Sequence, residues 1–133
     1  MKYIKYNIGW ISWGIFIYIL ISLPGNNIPD NIFFKYIPFA DKLVHAFLFG
    51  IFILLLNNSL LKQCRIKYQY LILLLALLLS ILYAGITELL QKKFFIERTA
   101  DIMDFFADVI GIIIAELLYI KRNKLKITFN RKL

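Results

Sequence analysis

The sequence is poor in the residues that build disulfide scaffolds, metal centres and phosphate-binding loops. Cys64 is the single cysteine among 133 residues, which excludes an intrachain disulfide and any metal site made from several cysteines. The six glycines form no Gly-rich phosphate loop and no nucleophile elbow. These absences argue against the common hydrolase, nucleotide-binding and redox classes of enzyme.

Acidic residues are also few, with eight Asp and Glu against sixteen Lys and Arg, so the formal net charge is +8. A basic chain invites a nucleic-acid interpretation. Here, however, the basic residues lie in short segments that flank long apolar runs, as the orientation of a membrane protein requires. We therefore expect no nucleic acid among the partners.

Apolar residues are abundant, at 61% of the chain with a mean hydropathy of +0.73. Soluble domains contain roughly 45–50% apolar residues. A globule of 133 residues has too little interior to bury this excess. The composition predicts an integral membrane protein whose main partner is the lipid bilayer.

Four apolar stretches predict an all-α bundle of four membrane-spanning helices. They cover approximately residues 8–23, 43–61, 68–90 and 102–120. A helix needs about 20 apolar residues to cross a hydrocarbon core of about 30 Å. The first stretch is short and stops at Pro24-Gly25, so it needs flanking aromatics at the interface. We interpret it as a retained helix because no A-x-A cleavage pattern follows it.

The distribution of basic residues predicts the orientation of this bundle. If the N-terminus is inside, the inner segments contain eleven Lys and Arg residues and the outer segments contain five. The positive-inside rule then places both termini in the cytoplasm. The basic tail from Lys121 onwards also suits an anionic inner leaflet.

Strongly polar side chains stand at the ends of three predicted helices, although ionisable groups cost roughly 2.5–3.5 kcal/mol each near a bilayer centre. They are Asp41, Lys42, His45, Glu88, Gln91, Arg98, Asp101, Asp104 and Asp108. Because the second and fourth helices enter from outside and the third exits there, all nine fall in the outer leaflet. Residues three or four apart share a helix face. The three polar stripes therefore predict one pocket open to the extracytoplasmic side.

Helix capping explains only part of this pattern. Asp41 and Asp101 stand at predicted helix N-termini, where the macrodipole favours negative charge and Asp is a common cap. Asp104 and Asp108 lie deeper in the fourth helix, beyond the reach of a cap. The deeper pair therefore calls for a ligand or an interhelical partner.

The same polar residues carry a family resemblance. The run Asp41-Lys42-Leu43-Val44-His45 is similar to the D-K-x-x-H signature of VanZ-like membrane proteins. The family's later E-x-x-Q, R, D, N and G are matched, with the same gaps, by Glu88-Leu89-Leu90-Gln91, Arg98, Asp104, Asp108 and Gly111. The resemblance runs from about Ala40 to Ala115. It implies a single VanZ-like transmembrane domain over residues 1–133 in the bacterial cytoplasmic membrane.

Two departures from the family pattern change the expected site. Ile96-Glu97-Arg98 stands where many members have Pro-Gly-Arg, so the turn before the fourth helix must be made differently. Asp108 stands where Asn is usual and adds an acidic group. That group is either protonated, paired with His45 or Arg98, or bound to a cation.

The resemblance implies little about chemistry. The family takes its name from a member associated with resistance to the glycopeptide antibiotic teicoplanin, and it has no established biochemical activity. The expectation is therefore an envelope protein that modulates glycopeptide susceptibility through its outward-facing pocket. Its ligand would be a lipid-linked envelope substrate or a glycopeptide-related molecule.

Three pocket residues are candidate catalytic groups. His45 has an ordinary pKa near neutrality and suits a general acid or base, which Glu88 or Asp104 would orient. The candidate ligand-binding residues are Asp41, Lys42, Gln91, Arg98, Asp101 and Asp108. Arg98 suits a phosphate or carboxylate, and the three aspartates of the fourth helix suit a divalent cation. No recognised metal-ligand spacing occurs, so metal and cofactor stay open.

Alternative functions remain: an enzyme acting on a lipid-linked envelope substrate, a non-catalytic scaffold, and passage of small solutes or ions. Passage through four helices would require a homo-oligomer. Gly111 and Ala115 are small residues four apart and predict close helix packing, within the bundle or between subunits. Gly85 is expected to act likewise. Glu116 is expected to pair with Lys121 or another basic residue of the tail.

Overall fold

A computed structural model describes residues 2–22, 39–64, 68–94 and 102–130, with side chains for 4–22, 39–64, 68–91 and 102–123. The helices are α1 (Lys2–Ser22), α2 (Ala40–Gln63), α3 (Gln69–Phe94) and α4 (Ile102–Asn130). The described segments contain no strand. The all-α prediction is therefore confirmed for this part of the chain.

Three of the helices are long and apolar enough to cross a membrane. Their apolar spans are Ile4–Ser22, Ala40–Gln63 and Gln69–Gln91. The fourth helix, α4, carries more charge, with Asp104, Asp108 and Glu116 in its first half and basic residues in its second. Large apolar side chains are exposed along all four helices, as expected where lipid is the solvent.

Helices α2 and α4 approach each other closely enough for their backbones to meet. A Cβ atom added to Gly111 would overlap the backbone carbonyl of Ala46, and one added to Gly50 would lie 3.3 Å from the carbonyl oxygen of Gly111. Glycine at both positions therefore lets the two backbones meet. The predicted close packing at Gly111 and Ala115 is confirmed, and it lies within the bundle. A Cβ on Gly85 would make only an ordinary 3.7 Å contact with Phe105, so close approach does not require that glycine.

Helix α1 packs antiparallel to α2 through aromatic and polar contacts. The Trp13 Nε1 atom donates a hydrogen bond to the carbonyl of Leu48 at 2.9 Å. Towards the other end of α2, Asn7 Nδ2 donates to Gln63 Oε1 at 3.4 Å. These two contacts fix both the register and the direction of α1.

Helix α3 packs against the others through Tyr83. The Tyr83 hydroxyl donates to the carbonyl of Gly14 at 2.7 Å, and its ring stacks on Phe52 with centroids 5.0 Å apart. Phe49 packs on the same ring at 5.8 Å. This aromatic cluster occupies the middle of the bundle and joins three helices.

The helix directions bring three particular ends together. Contacts between α2 and α4 advance in the same order along both chains, from Lys42 with Asp104 to Asn58 with Tyr119, so these helices are parallel. Glu88, near the end of α3, acts electrostatically on His45, near the start of α2. The first turns of α2 and α4 and the last turns of α3 therefore share one end of the bundle.

Candidate functional site

An ion pair links the first turns of α2 and α4. The Lys42 ammonium Nζ donates to Asp104 Oδ1 at 2.6 Å, and both side chains are largely shielded from solvent. The same Nζ atom contacts Asp41 Oδ2 at 3.0 Å. Lys42 thus holds two of the predicted aspartates, one on its own helix and one on the neighbouring helix.

One turn deeper, His45 lies between two carboxylates of α4. Its Nδ1 atom is 3.0 Å from Asp108 Oδ1, and Asp108 is only 1% exposed. Its Nε2 atom is 3.9 Å from Asp104 Oδ2, which is longer than a hydrogen bond. An ionised carboxylate only accepts hydrogen bonds, so an ionised Asp108 requires the proton on Nδ1. Nε2 then remains available for a ligand or a proton.

The other described candidates surround this centre at different depths. Asp41 has a side chain that is 61% exposed, and it occupies the rim of the cluster. Glu88 is half-buried and acts on the charge of His45 from α3. Gln91 is buried one turn beyond Glu88. Direct contacts thus join Asp41, Lys42, His45, Asp104 and Asp108, and Glu88 acts on this group from α3.

Two candidates, Arg98 and Asp101, lie outside the described residues. The hypothesis of a cation held by three aspartates of the fourth helix depends on Asp101, so it extends beyond the described part of the chain. Within that part, no three His, Cys, Asp or Glu side chains are placed to hold a metal ion. The described cluster has the chemistry of an oriented histidine beside a salt bridge.

A second polar layer at the other end of the α2–α4 interface was not anticipated from the sequence. Asn57 Nδ2 donates to Glu116 Oε2, and both residues are buried. Glu116 was expected to pair with Lys121 or another basic residue of the tail; it forms no ion pair with Lys121 or Arg122, and the side chains of the later basic residues lie outside the described part of the chain. Nearby, Asn7 Oδ1 accepts from Ser59 Oγ at 2.8 Å and ties α1 to α2.

A spacing signal could have identified this second layer. Twelve residues separate His45 from Asn57, and twelve also separate Asp104 from Glu116. If His45 and Asp104 lie at the same depth on two parallel helices, equal spacings also bring Asn57 and Glu116 to a common depth. The signal is usable only when the helices are known to be parallel, which the predicted topology already implied.

The described structure also contains a mainly apolar groove of about 550 Å³ among α1, α2 and α3. Its lining residues are Trp10, Ile11, Gly14, Ile15, Tyr18, Phe52, Leu56, Leu60, Leu79 and Tyr83. None of them belongs to the polar cluster around His45. A ligand of that cluster would therefore occupy a different place from a molecule in the groove.

Comparison with known proteins supports the family resemblance carried by these residues. No curated protein matches the chain, and no solved structure matches it. The VanZ/LLP1 family model matches residues 5–126, which include most of each helix and every residue of the polar cluster. The chain therefore belongs to the VanZ/LLP1 family.

Proposed function

We propose that this chain is a multi-pass protein of the bacterial cytoplasmic membrane, a single domain in which all four helices cross and both termini are cytoplasmic. The pairing of α4 with α2 supports a fourth crossing. Asp104 and Asp108 contact Lys42 and His45, which reduces the cost of placing their carboxylates at membrane depth. The excess of basic residues in the inner segments supports the orientation.

Cysteine labelling tests the orientation directly. Cys64 is exposed at the end of α2, and we expect an impermeant thiol reagent to label it only after the cells are permeabilised. Phe39 is 73% exposed at the opposite end of α2. A Cys64→Ala/Phe39→Cys variant is the matched control and should be labelled in intact cells. Labelling of Cys64 itself in intact cells would contradict the proposed orientation and place this end of α2 outside the cell.

The proposed function is binding of an envelope ligand at the polar cluster, with altered susceptibility to a glycopeptide antibiotic as its consequence. The contact between His45 and Asp108 supports this function most strongly. It orients an imidazole whose second nitrogen faces Asp104 across 3.9 Å, a gap too long for a direct hydrogen bond. A lipid-linked precursor or a glycopeptide offers hydroxyl, amide and charged groups that suit such a site.

Teicoplanin susceptibility tests this function. We would compare cells that express wild type, His45→Ala, Asp104→Asn or Tyr119→Phe at matched membrane levels. Tyr119→Phe is the control, because it removes a 3.1 Å hydrogen bond between the same two helices at their other end. We expect protection by wild type and by the control, and loss of protection in the two cluster variants. Protection by all four proteins, or by none, would overturn the proposal.

Catalysis on a lipid-linked envelope substrate is the second candidate function. The His45–Asp108 contact also favours it, because a carboxylate that orients an imidazole is a common arrangement for a general base. Purified wild type and His45→Ala would be incubated with membrane lipid extracts and the products analysed by mass spectrometry. A product that depends on His45 would support an enzyme. If neither His45→Ala nor Asp104→Asn accumulates in membranes, the cluster would instead be a scaffold that holds the helices together.

A further inference from the structure

The Asn57–Glu116 contact lies inside the α2–α4 interface, away from the cluster around His45. Asn57 is 0% exposed and Glu116 is 6% exposed. Asn57 Nδ2 donates its hydrogen bond to Glu116 Oε2. Asn57 Oδ1 is fully buried and accepts no hydrogen bond from any described residue. The Nδ2 atom of Asn57 is therefore satisfied by Glu116, while its Oδ1 atom still needs a hydrogen-bond donor.

The surroundings of Glu116 supply no compensating charge among the described residues. The titratable groups at this end of the bundle are Lys5 and Tyr6 of α1, Lys62 of α2, Cys64 and Tyr68 between α2 and α3, Tyr70 of α3, and Tyr119, Lys121 and Arg122 of α4. None of these groups forms an ion pair with Glu116. Tyr119 interacts with it electrostatically, but the Tyr119 hydroxyl donates to Asn58 Oδ1.

An ionised Glu116 would leave two buried groups unsatisfied. A carboxylate has no proton to donate, so it cannot serve Asn57 Oδ1. A buried charge without a partner is also costly in a protein interior and more so at membrane depth. A carboxylic acid removes both problems, because it carries one O–H donor and one carbonyl acceptor on the same group.

We propose that Glu116 is a proton-binding site, holding a proton as a carboxylic acid that pairs with Asn57 through two hydrogen bonds. The Glu116 O–H donates to Asn57 Oδ1, and Glu116 Oε2 accepts from Asn57 Nδ2. The two bonds close a ring in which every polar atom of both side chains has a partner. This ring joins α2 to α4 at the end opposite the His45–Asp108 contact.

The proton couples the α2–α4 contact to pH. The folded protein binds a proton that the unfolded chain releases, since an unperturbed Glu titrates near pH 4.3. Stability must therefore fall as pH rises, because the folded state binds more protons than the unfolded state. Glu116→Gln is the informative variant: its amide offers the same donor and acceptor at every pH and can close the same ring.

Infrared difference spectroscopy tests the protonation state directly. A protonated carboxyl has a carbonyl stretching band that is separate from the carboxylate bands and shifts in D2O. We would record wild type, Glu116→Gln and Asp108→Asn in lipid nanodiscs at pH 7. We expect a protonated-carboxyl band that Glu116→Gln loses and Asp108→Asn retains. Loss of a carboxylate band in Glu116→Gln, with no change in the protonated band, would overturn the proposal.

Thermal unfolding against pH provides a second test that does not depend on band assignment. We expect the unfolding temperature of wild type to fall more steeply than that of Glu116→Gln as the pH is raised from about 4.3, where the unfolded chain starts to release the proton, to alkaline pH. Asn57→Leu removes both hydrogen bonds and should unfold at a lower temperature than Glu116→Gln at every pH. Parallel pH profiles for wild type and Glu116→Gln would refute a proton held by Glu116.

Discussion

The contact between Gly111 and Ala46 makes Gly111→Ala the most informative packing variant of this protein. The added methyl group would overlap the backbone carbonyl of Ala46. A side chain can rotate away from such an overlap, but a helix backbone cannot, so α2 and α4 must separate locally. That separation would also draw His45 away from Asp108, which lies one turn before Gly111 on α4.

The size of the effect follows from a comparison with Gly85→Ala. A Cβ at Gly85 meets Phe105 at 3.7 Å, an ordinary contact. Replacing Gly by Ala within a helix is favourable by about 1 kcal/mol from propensity alone, and both variants gain this equally. Overpacking costs typically about 1–3 kcal/mol. We therefore expect Gly111→Ala to be less stable than Gly85→Ala by about 1–3 kcal/mol. The difference should lie near the upper value, because the added methyl group meets backbone atoms of Ala46 that cannot rotate away.

Chemical unfolding of both variants in the same detergent micelle, followed by tryptophan fluorescence, measures this difference. Trp10 and Trp13 report on the packing of α1 against α2 in each variant. Gly9→Ala is a second control, since its Cβ would lie 3.8 Å from a Leu55 methyl group. Equal stability of Gly111→Ala and the two controls would refute close backbone packing between α2 and α4.

Three further variants test single contacts. In a double-mutant cycle, Lys42→Met and Asp104→Asn should show a coupling energy of about 0.5–3 kcal/mol in unfolding measurements, and additive effects would contradict their ion pair. Tyr83→Phe should lower stability by about 0.6 kcal/mol, the mean for interhelical hydrogen bonds in membranes, because it removes the bond to the Gly14 carbonyl. Ser80→Ala should leave the unfolding free energy unchanged or raise it, since the Ser80 hydroxyl is buried with no hydrogen-bond partner among the described residues; marked destabilisation would reveal a partner.

The four described helices could be predicted from four long apolar runs, three of which are long and apolar enough to cross a membrane. Backbone groups in hydrocarbon must bond within their own segment, so each long apolar run becomes a helix. Helix bounds were less predictable, since polar residues beyond the hydrocarbon can continue a helix. The fourth helix accordingly runs to Asn130, past the end of its apolar stretch.

The candidate site could be predicted as a set of residues but not as a set of contacts. Helical spacing and shared depth identified His45, Asp104 and Asp108 as neighbours. The rotation of α2 against α4 then decided that Asp108 contacts His45 and that Asp104 contacts Lys42. The same rotation left Asp41 on the exposed rim, although it is adjacent to Lys42 in the chain.

Glu116 shows where chain proximity misleads. The basic tail that follows it suggested a local ion pair, but α4 turns Glu116 inwards to Asn57, a residue 59 positions away. The sequence alone predicted a membrane protein, the four helices of the described segments and the end of the bundle at which the first polar cluster lies. These properties depend on composition and periodicity. Only the tertiary structure decided which polar atoms meet, because Gly50 and Gly111 set the distance between α2 and α4, and helix rotation at that distance selects each partner.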